Sequence, residues 1–387
     1  MTAISLRQRI SDTFGVTDLS NGFIGTLLNP FWVGRYDSFP FRTLDNRLSM
    51  LSIFEAWEWP TSFTTVKIHP SDDENQRSDE GQSIAACDHS WIFGSMDDGE
   101  SGAGNEKIVW RVDLTGSLDV DYPETEGVNK AQTPGVFLEN STHFGGGDYY
   151  DGKFWLAVQR KNSYSGGVLR YDINPPEAMT RVAFRDSVRF PGIVPNGASF
   201  QPPWVSALRG TSLLFSSDFN DTPTPLSLLG FSYQGAAWTN DLLAFLDELP
   251  LFTSLVGGTP FQRTRIQGGD LSPTGKVYLV VDEPDSNGGG IYGFDIITGC
   301  QMVYIPYSQF SVALPPPLEM VRIPPQSTGG GGIGPIEYQD IEVFDVGTVP
   351  HSPNVAGVIH LLVQDNDTVT DDNQSIVHMN VDVPSKA

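Results

Sequence analysis

Apolar and polar residues alternate in short runs along most of this chain, and Gly, Asp, Asn and Pro punctuate the runs. Such a pattern predicts half-buried strands joined by tight turns. From His143 to Asp172, the stretch HFGGGDYYDGKFWLAVQRKNSYSGGVLRYD gives a small-residue strand, a Tyr150-Asp151-Gly152 turn, an alternating strand from Lys153 to Val158, and a third strand ending at Asp172. From Gln267, QGGDLSPTGKVYLVVDEPDSNGGGIYGFD repeats the order: Gly-Gly-Asp, turn, β-branched strand, acidic Gly-rich loop, then Phe294-Asp295. These are two copies of one unit.

Weaker copies run from Gly81 to Leu114, from Pro203 to Tyr233 and from Tyr338 to Val383. Their third-strand landmarks, Asp113, Asp172, Ser232 and Asp295, recur about every 60 residues, which suits four-stranded sheets arranged radially better than a helical solenoid. The expectation is an all-β chain forming a single β-propeller. Phe63 to His69 alternates as a strand, while the last repeat stops at its third strand, Ser375 to Val383. An N-terminal strand completing the C-terminal blade therefore closes the ring at five blades. The count becomes six if Gly22 to Pro60, crowded with Phe31, Trp32, Phe39, Phe41, Phe54, Trp57 and Trp59, supplies most of a blade. Residues 1–62 read as an N-terminal extension or cap and 63–387 as the propeller.

Fourth strands are expected at Arg181 to Asp186 and Gln301 to Pro306. Thr239 to Ser254, TNDLLAFLDELPLFTS, is the strong helical candidate, with Thr239 or Asn240 as its cap. A shorter amphipathic helix is expected within residues 1–20, through Ile4, Leu6, Ile10 and Phe14. The glycine run between Ser327 and Pro335 is read as a flexible loop, because no Lys-Ser or Lys-Thr follows it as a phosphate loop requires.

Charge narrows the partners. With 47 acids against 23 bases and a net charge of −24, most of the surface repels a nucleic-acid backbone or an anionic membrane. The N-terminus lacks a signal-peptide apolar core, and no run approaches the roughly 20 apolar residues of a membrane span, so a soluble chain is expected. Cys87 and Cys300 are too few for a disulfide framework or a zinc knuckle; two buried thiols are expected, with a single bridge left open.

In an antiparallel blade the first strand begins, and the second ends, on one face of the ring. That face should collect Gln82, His143, Trp204 and Gln267 together with Glu337, Tyr338, Asp340 and Glu342. Amides, an imidazole, an indole and carboxylates in one funnel suit a polar, sugar-like ligand. Asp340 and Glu342 are two residues apart on a strand and share a face, as an acid/base pair requires, with His143 as a polarising or proton-shuttling partner. Bland alternatives stand beside these roles: His143 and the glutamines as ties between neighbouring strands, Trp204 as packing between blades. The facing loops add Asp97, Asp98, Glu100, Asp218, Asp221, Asp282, Glu283 and Asp285.

A calcium site is suggested by Asp365, Asp367 and Asp371, whose loop offers oxygens at alternate positions but lacks the sixth-place Gly and closing Glu of an EF-hand. No His/Cys spacing suggests zinc, and no Gly-x-Ser-x-Gly occurs. Asp151-Gly152-Lys153-Phe154-Trp155 resembles the Asp-box turn of sialidase-like propellers without its Ser, and an Asp-Gly hairpin accounts for it equally. Arg160, Arg263, Arg265 and Arg322 are the arginines near expected strand ends.

Residues 63 to 383 thus resemble β-propellers in general, and the nearest functional analogy is with five-bladed glycosidases of the arabinanase and invertase type. Those enzymes place carboxylates at inner-strand starts of successive blades. Here His143, Trp204 and two glutamines stand at such positions, leaving Asp340 and Glu342. The analogy implies a glycan-directed propeller, either a hydrolase working in the central funnel or a non-catalytic module that binds carbohydrate or protein. The copies are unequal at the contact positions, which favours one site over five.

Overall fold

The continuous apolar run Lys276–Val281 shows how these strands are used. Val277, Leu279 and Val281 pack on one side with Trp204, Leu208 and Phe215, while Tyr278 and Val280 pack on the other with Tyr338, Ile341 and Leu361. Both faces of the strand are buried because a sheet lies against each of them. In the computed structural model this arrangement closes on itself as a five-bladed β-propeller. The structure describes residues 62–70, 81–87, 90–96, 107–113, 130–134, 141–150, 152–160, 166–173, 182–190, 200–208, 213–219, 222–233, 243–253, 258–272, 276–283, 287–296, 299–307, 311–312, 336–343, 359–365 and 373–382.

Blade 1 runs from its inner strand Gly81–Cys87 through Ser90–Met96 and Lys107–Asp113 to Lys130–Gln132. Blade 2 follows with Ser141–Tyr150, Lys153–Arg160, Gly167–Ile173 and Val182–Arg189. Blade 3 comprises Ser206–Leu208, Leu213–Ser216, Ser227–Ser232 and Ala244–Pro250, and blade 4 comprises Ile266–Leu271, Lys276–Val281, Gly290–Asp295 and Gln301–Ile305. Blade 5 contributes Ile336–Val343, Ile359–Asp365 and Asn373–Asp382 from the end of the chain. Its fourth strand is Ser62–Pro70, antiparallel to Asn373–Asp382 with Phe63 opposite Val381 and Ile68 opposite Val377. Ser311–Val312 adds a short parallel edge outside it.

Each inter-blade seam holds its own apolar cluster. Phe144 and Leu156 meet Ile92 and Val109 between blades 1 and 2, and Trp155 meets Leu214 and Phe231 between blades 2 and 3. At the ring closure Trp91 and Phe93 of blade 1 pack with Leu362 and Ile376 of blade 5. Behind Trp91 lie His360 and His378, cross-strand neighbours in blade 5 whose Nδ1 atoms are 2.7 Å apart. Cys300 is buried.

A bulge recurs at one place in four blades. The ladder between inner and second strands slips between Gly81 and Ser83, Ser141 and His143, Ile266 and Gly268, and Tyr338 and Asp340. The extra residues are Gln82, Thr142, Gln267 and Gln339. A bulge turns the strand and re-aims the side chain it carries.

The expected helix over Thr239–Ser254 is corrected. Ala244–Pro250 is instead the outer strand of blade 3, paired antiparallel with Ser227–Ser232. An outer strand has one neighbour and is only half-buried, so it shows no strict alternation, and the Leu-rich spacing of AFLDELP mimics a helix period. Pairing with Ser227–Ser232 overrides that local preference, and Pro250 sits at the strand end where its missing N–H costs little. Among the described residues there is no α-helix, hence none long and apolar enough to cross a membrane. Of the extension or cap expected over residues 1–62, Ser62 begins the closing strand and residues 1–61, with the expected short helix, lie outside the described residues, as does the glycine run before Pro335.

Trp204 belongs to this packing. It is fully buried in the seam between blades 3 and 4, and its Nε1–H donates to Ser217 Oγ at 2.9 Å. Trp204→Ala is expected to destabilise the fold by about 3–5 kcal/mol, as large-to-small changes in a tight core do. Urea unfolding of the variant checks this, and a change below about 1 kcal/mol would assign the indole to a surface role.

Candidate functional site

Alternate residues of each inner strand face the ring axis. On the axis, carboxylates join blade to blade. Asp148 of blade 2 accepts from the Ala207 N–H of blade 3 at 2.8 Å, and Asp270 of blade 4 accepts from the Val343 N–H of blade 5 at 2.8 Å. Asp340 of blade 5 accepts from the Ile84 N–H of blade 1 at 3.0 Å, and also from Ser83 Oγ and the Gly147 N–H. Ser206 of blade 3 completes the series: its hydroxyl donates to Asp270 Oδ1 at 2.7 Å and accepts from the Leu271 N–H. Between blades 1 and 2, the Phe144 N–H points at Met96 Sδ.

The Gly-Gly-Asp motif has a geometric reason. A Cβ on Gly146 or Gly268 would lie 2.3 Å or 2.6 Å from Asp340 Oδ1, so both positions must be glycine for that carboxyl to reach the axis. Two residues further along each strand stand Asp148 and Asp270. With Glu342 they form a wholly buried trio offering one oxygen each, all within 4.8 Å of one another. Sequence reasoning missed Asp148 and Asp270 as site residues, although Gly-Gly-Asp in the two strongest copies was the available signal.

The strand-start end of the axis is different in character. Gln82 and Gln339 are buried there, while His143, Gln267 and Glu337 are partly exposed. Gln339 donates from Nε2 to Glu337 Oε2 at 2.6 Å, and its Oε1 is buried with no hydrogen-bond partner. Burial and then the Lys107 charge pull His143 down to about 4, so its imidazole is neutral at physiological pH. Asp282, at the end of the second strand of blade 4, accepts from the Tyr338 N–H at 3.2 Å. Burial, then the nearby Glu337 carboxylate, pushes Asp282 up to about 7. Arg265 reaches toward it, Nη1 to Oδ2 at 3.8 Å, from a backbone held at φ 52°. A non-glycine residue in that region carries local strain of the kind found at functional sites.

The residues that the sequence grouped lie along several inner strands, with Asp340 reaching Ser83 and Gly268, the neighbours of Gln82 and Gln267. Gln82, His143 and Gln267 begin inner strands of blades 1, 2 and 4; Asp340 and Glu342 lie deeper, fully buried. Burial, joined by the Asp270 charge, raises Asp340 well above the usual carboxylate range. Asp218 is raised too, by burial, at the corresponding strand end of blade 3. Asp365 ends the second strand of blade 5, whereas Asp367 and Asp371 lie outside the described residues, as do Asp97, Asp98, Glu100, Asp221 and Asp285.

Fold and axis together define a five-bladed propeller with an acidic centre and an amide-rich mouth. No protein-family model and no curated protein matches the chain. Solved structures with a similar chain course include the Phage phi92 endosialidase, at 9% identity and TM-score 0.32, over 53% of this chain and 31% of that one. A GH62 hydrolase in complex with xylotriose is similar at 13% identity and TM-score 0.37, over 82% of this chain and 97% of the other. A Penicillium chrysogenum alpha-L-arabinanase complexed with arabinobiose is similar at 9% and 0.36, over 75% and 71%. The ligands in those descriptions belong to those proteins.

The two shifted groups at the mouth act oppositely on stability. Asp282 rises from 3.8 to about 7 on folding, so the unfolded chain loses its proton first and this group takes stability away as pH climbs through that interval. His143 falls from 6.5 to about 4, so its contribution is lost as pH drops through that interval. Asp282→Asn is expected to remove the downward limb above the ordinary carboxylate range, read from urea midpoints across the pH series. An unchanged limb would mean that Asp282 is ionised in the folded state.

Proposed function

We propose that the strand-start mouth binds a hydroxyl-rich, sugar-like ligand, making the chain a glycan-directed propeller. The observation that carries this reading is the repeated bulge, which sets Gln82, Gln267 and Gln339 at equivalent places round one end of the axis. An amide both donates and accepts, as does a neutral imidazole, so three amides and His143 match the donor-and-acceptor character of sugar hydroxyls. Gln339 Oε1, buried without a partner in the protein, is an acceptor available to such a hydroxyl.

For hydrolysis, Asp282 is the proton donor we assign, because a carboxyl titrating near neutrality keeps its proton where a glycosidic oxygen needs one. Glu337 is its basic partner. Asp340 and Glu342, the pair first suggested by their spacing, then serve the ring from below the mouth rather than touching the ligand. Trp204 supports the mouth from the seam.

The test is a glycan array and a panel of chromogenic glycosides on the wild type, Gln267→Ala and Asp282→Asn. Gln267→Ala is expected to weaken binding about tenfold, the loss of one or two hydrogen bonds. Asp282→Asn is expected to abolish turnover while leaving binding, and wild-type turnover should fall as pH rises through about 7. Binding without turnover in the wild type would leave a recognition module. Absence of any oligosaccharide binding would overturn the reading.

A further inference from the structure

We propose that His360 and His378 form an acid-sensitive latch at the ring closure: paired through one shared proton they hold blade 5 against blade 1, and when both rings become cationic the seam opens. Nothing in this inference rests on the sugar-binding mouth.

The two rings are cross-strand neighbours on the second and third strands of blade 5, both fully buried, with Nδ1 atoms 2.7 Å apart and ring planes at 78°. A contact that short between two ring nitrogens is a hydrogen bond, so one Nδ1 carries the proton and the other accepts it. An imidazolium donates from both nitrogens and accepts at neither. Two imidazoliums would set N–H against N–H and charge against like charge, and the pair would part.

The surroundings decide where the parted rings can go. Blade 1 covers them: the Trp91 ring lies 4.9 Å from His360 and 5.7 Å from His378, in a cluster with Ile84, Phe93, Leu362 and Ile376, none of which is ionisable. Within blade 5, Glu342 stands opposite His360 and Lys67 opposite His378 in the strand register. Asp340 shares the face of Glu342 and accepts from the N–H groups of Ile84 and Gly147. Glu342 can offset one positive charge on the pair but not two, and Lys67 adds a further cation to the same row. A second proton therefore requires water, and water reaches the rings when blade 5 lifts from Trp91. His378 belongs to the strand that pairs with Ser62–Pro70, so the opening reaches the ladder that joins the early and late parts of the ring.

The sign follows from proton counts. An opened seam lets each ring take its own proton below the ordinary histidine value of about 6.5, whereas the closed pair withholds at least one. The open form binds more protons, so acid favours it by about tenfold per pH unit for each proton withheld.

The experiment reads amide exchange on the full chain across a pH series, each rate normalised to its intrinsic chemical rate. Protection in the ladder between Ser62–Pro70 and Asn373–Asp382 is expected to fall about tenfold per pH unit below about 6.5, while Leu213–Ser216 and Ser227–Ser232 of blade 3 keep theirs. His360→Asn and His378→Asn each keep an amide near the place of Nδ1 and remove one titratable ring, and each is expected to flatten the fall. His143, whose contribution also declines in acid, is intact in both variants and cannot account for a difference from the wild type. Nitrogen-15 spectra of the wild-type histidine rings check the pair independently of any variant, with one Nδ1 proton expected for the two rings near neutral pH. Closure amides that keep their protection in acid, the same fall in the wild type and both variants, or two imidazoliums at these positions while the ladder stays protected would each overturn the proposal.

Discussion

A carboxylate on one inner strand accepting the N–H of the next blade's inner strand is the interaction on which this ring depends. Inner strands of neighbouring blades belong to different sheets, with Gly146 bonding backbone to backbone to Pro203 and Val205, and their other buried N–H groups still need acceptors. Asp148, Asp270 and Asp340 supply them across three of the seams, and Asp340 does so at the junction where the end of the chain meets its beginning. Three such bonds at the narrowest part of the ring, each satisfying a buried backbone N–H, fix how the blades are spaced. The apolar seams then fill the widening gaps outside.

The acids of this chain therefore fall into populations with different work. Those on the axis are enclosed and joined to backbone amides; those at the mouth, Asp282 and Glu337, lie beside residues that solvent reaches. The distinction matters for reading function from acidic residues in a repeat fold, since a carboxylate near the axis is as readily part of the frame as part of a site. Distance from the surface, and the identity of the donor it already serves, separate the two.

Much of the fold was legible in the sequence because propeller strands are buried on both faces and carry dense, β-branched runs such as KVYLVV. The repeat gave the blades, their third-strand landmarks and the outer strands at 182–189 and 301–305. Blade 3's outer strand was misread because half-exposed edge strands lose the two-residue period on which the reading depends. The site was less legible. Asp340 and Glu342 were found by spacing, but their depth below the mouth is set by a one-residue bulge that spacing does not reveal. Gln339, the bulge residue of blade 5, was passed over between two more conspicuous acids. Asp148 and Asp270 were in plain view after glycines whose purpose is to admit a side chain from another blade, more than sixty positions away.

The outer strand of the last blade has a consequence for how the molecule is made. Ser62–Pro70 leaves the ribosome before any blade exists, yet its partner Asn373–Asp382 is synthesised only after blades 1 to 4. Blades 1 to 4 are each built from a contiguous stretch of chain and are free to form in order, while the early strand must wait with its backbone donors and acceptors exposed. Closing that contact carries the loop entropy of all the chain between Pro70 and Asn373 and belongs to the slowest class of folding events. During that wait the unpaired strand is a template for another copy's free edge, so exchange of this strand between molecules is the characteristic error to which such a ring is exposed.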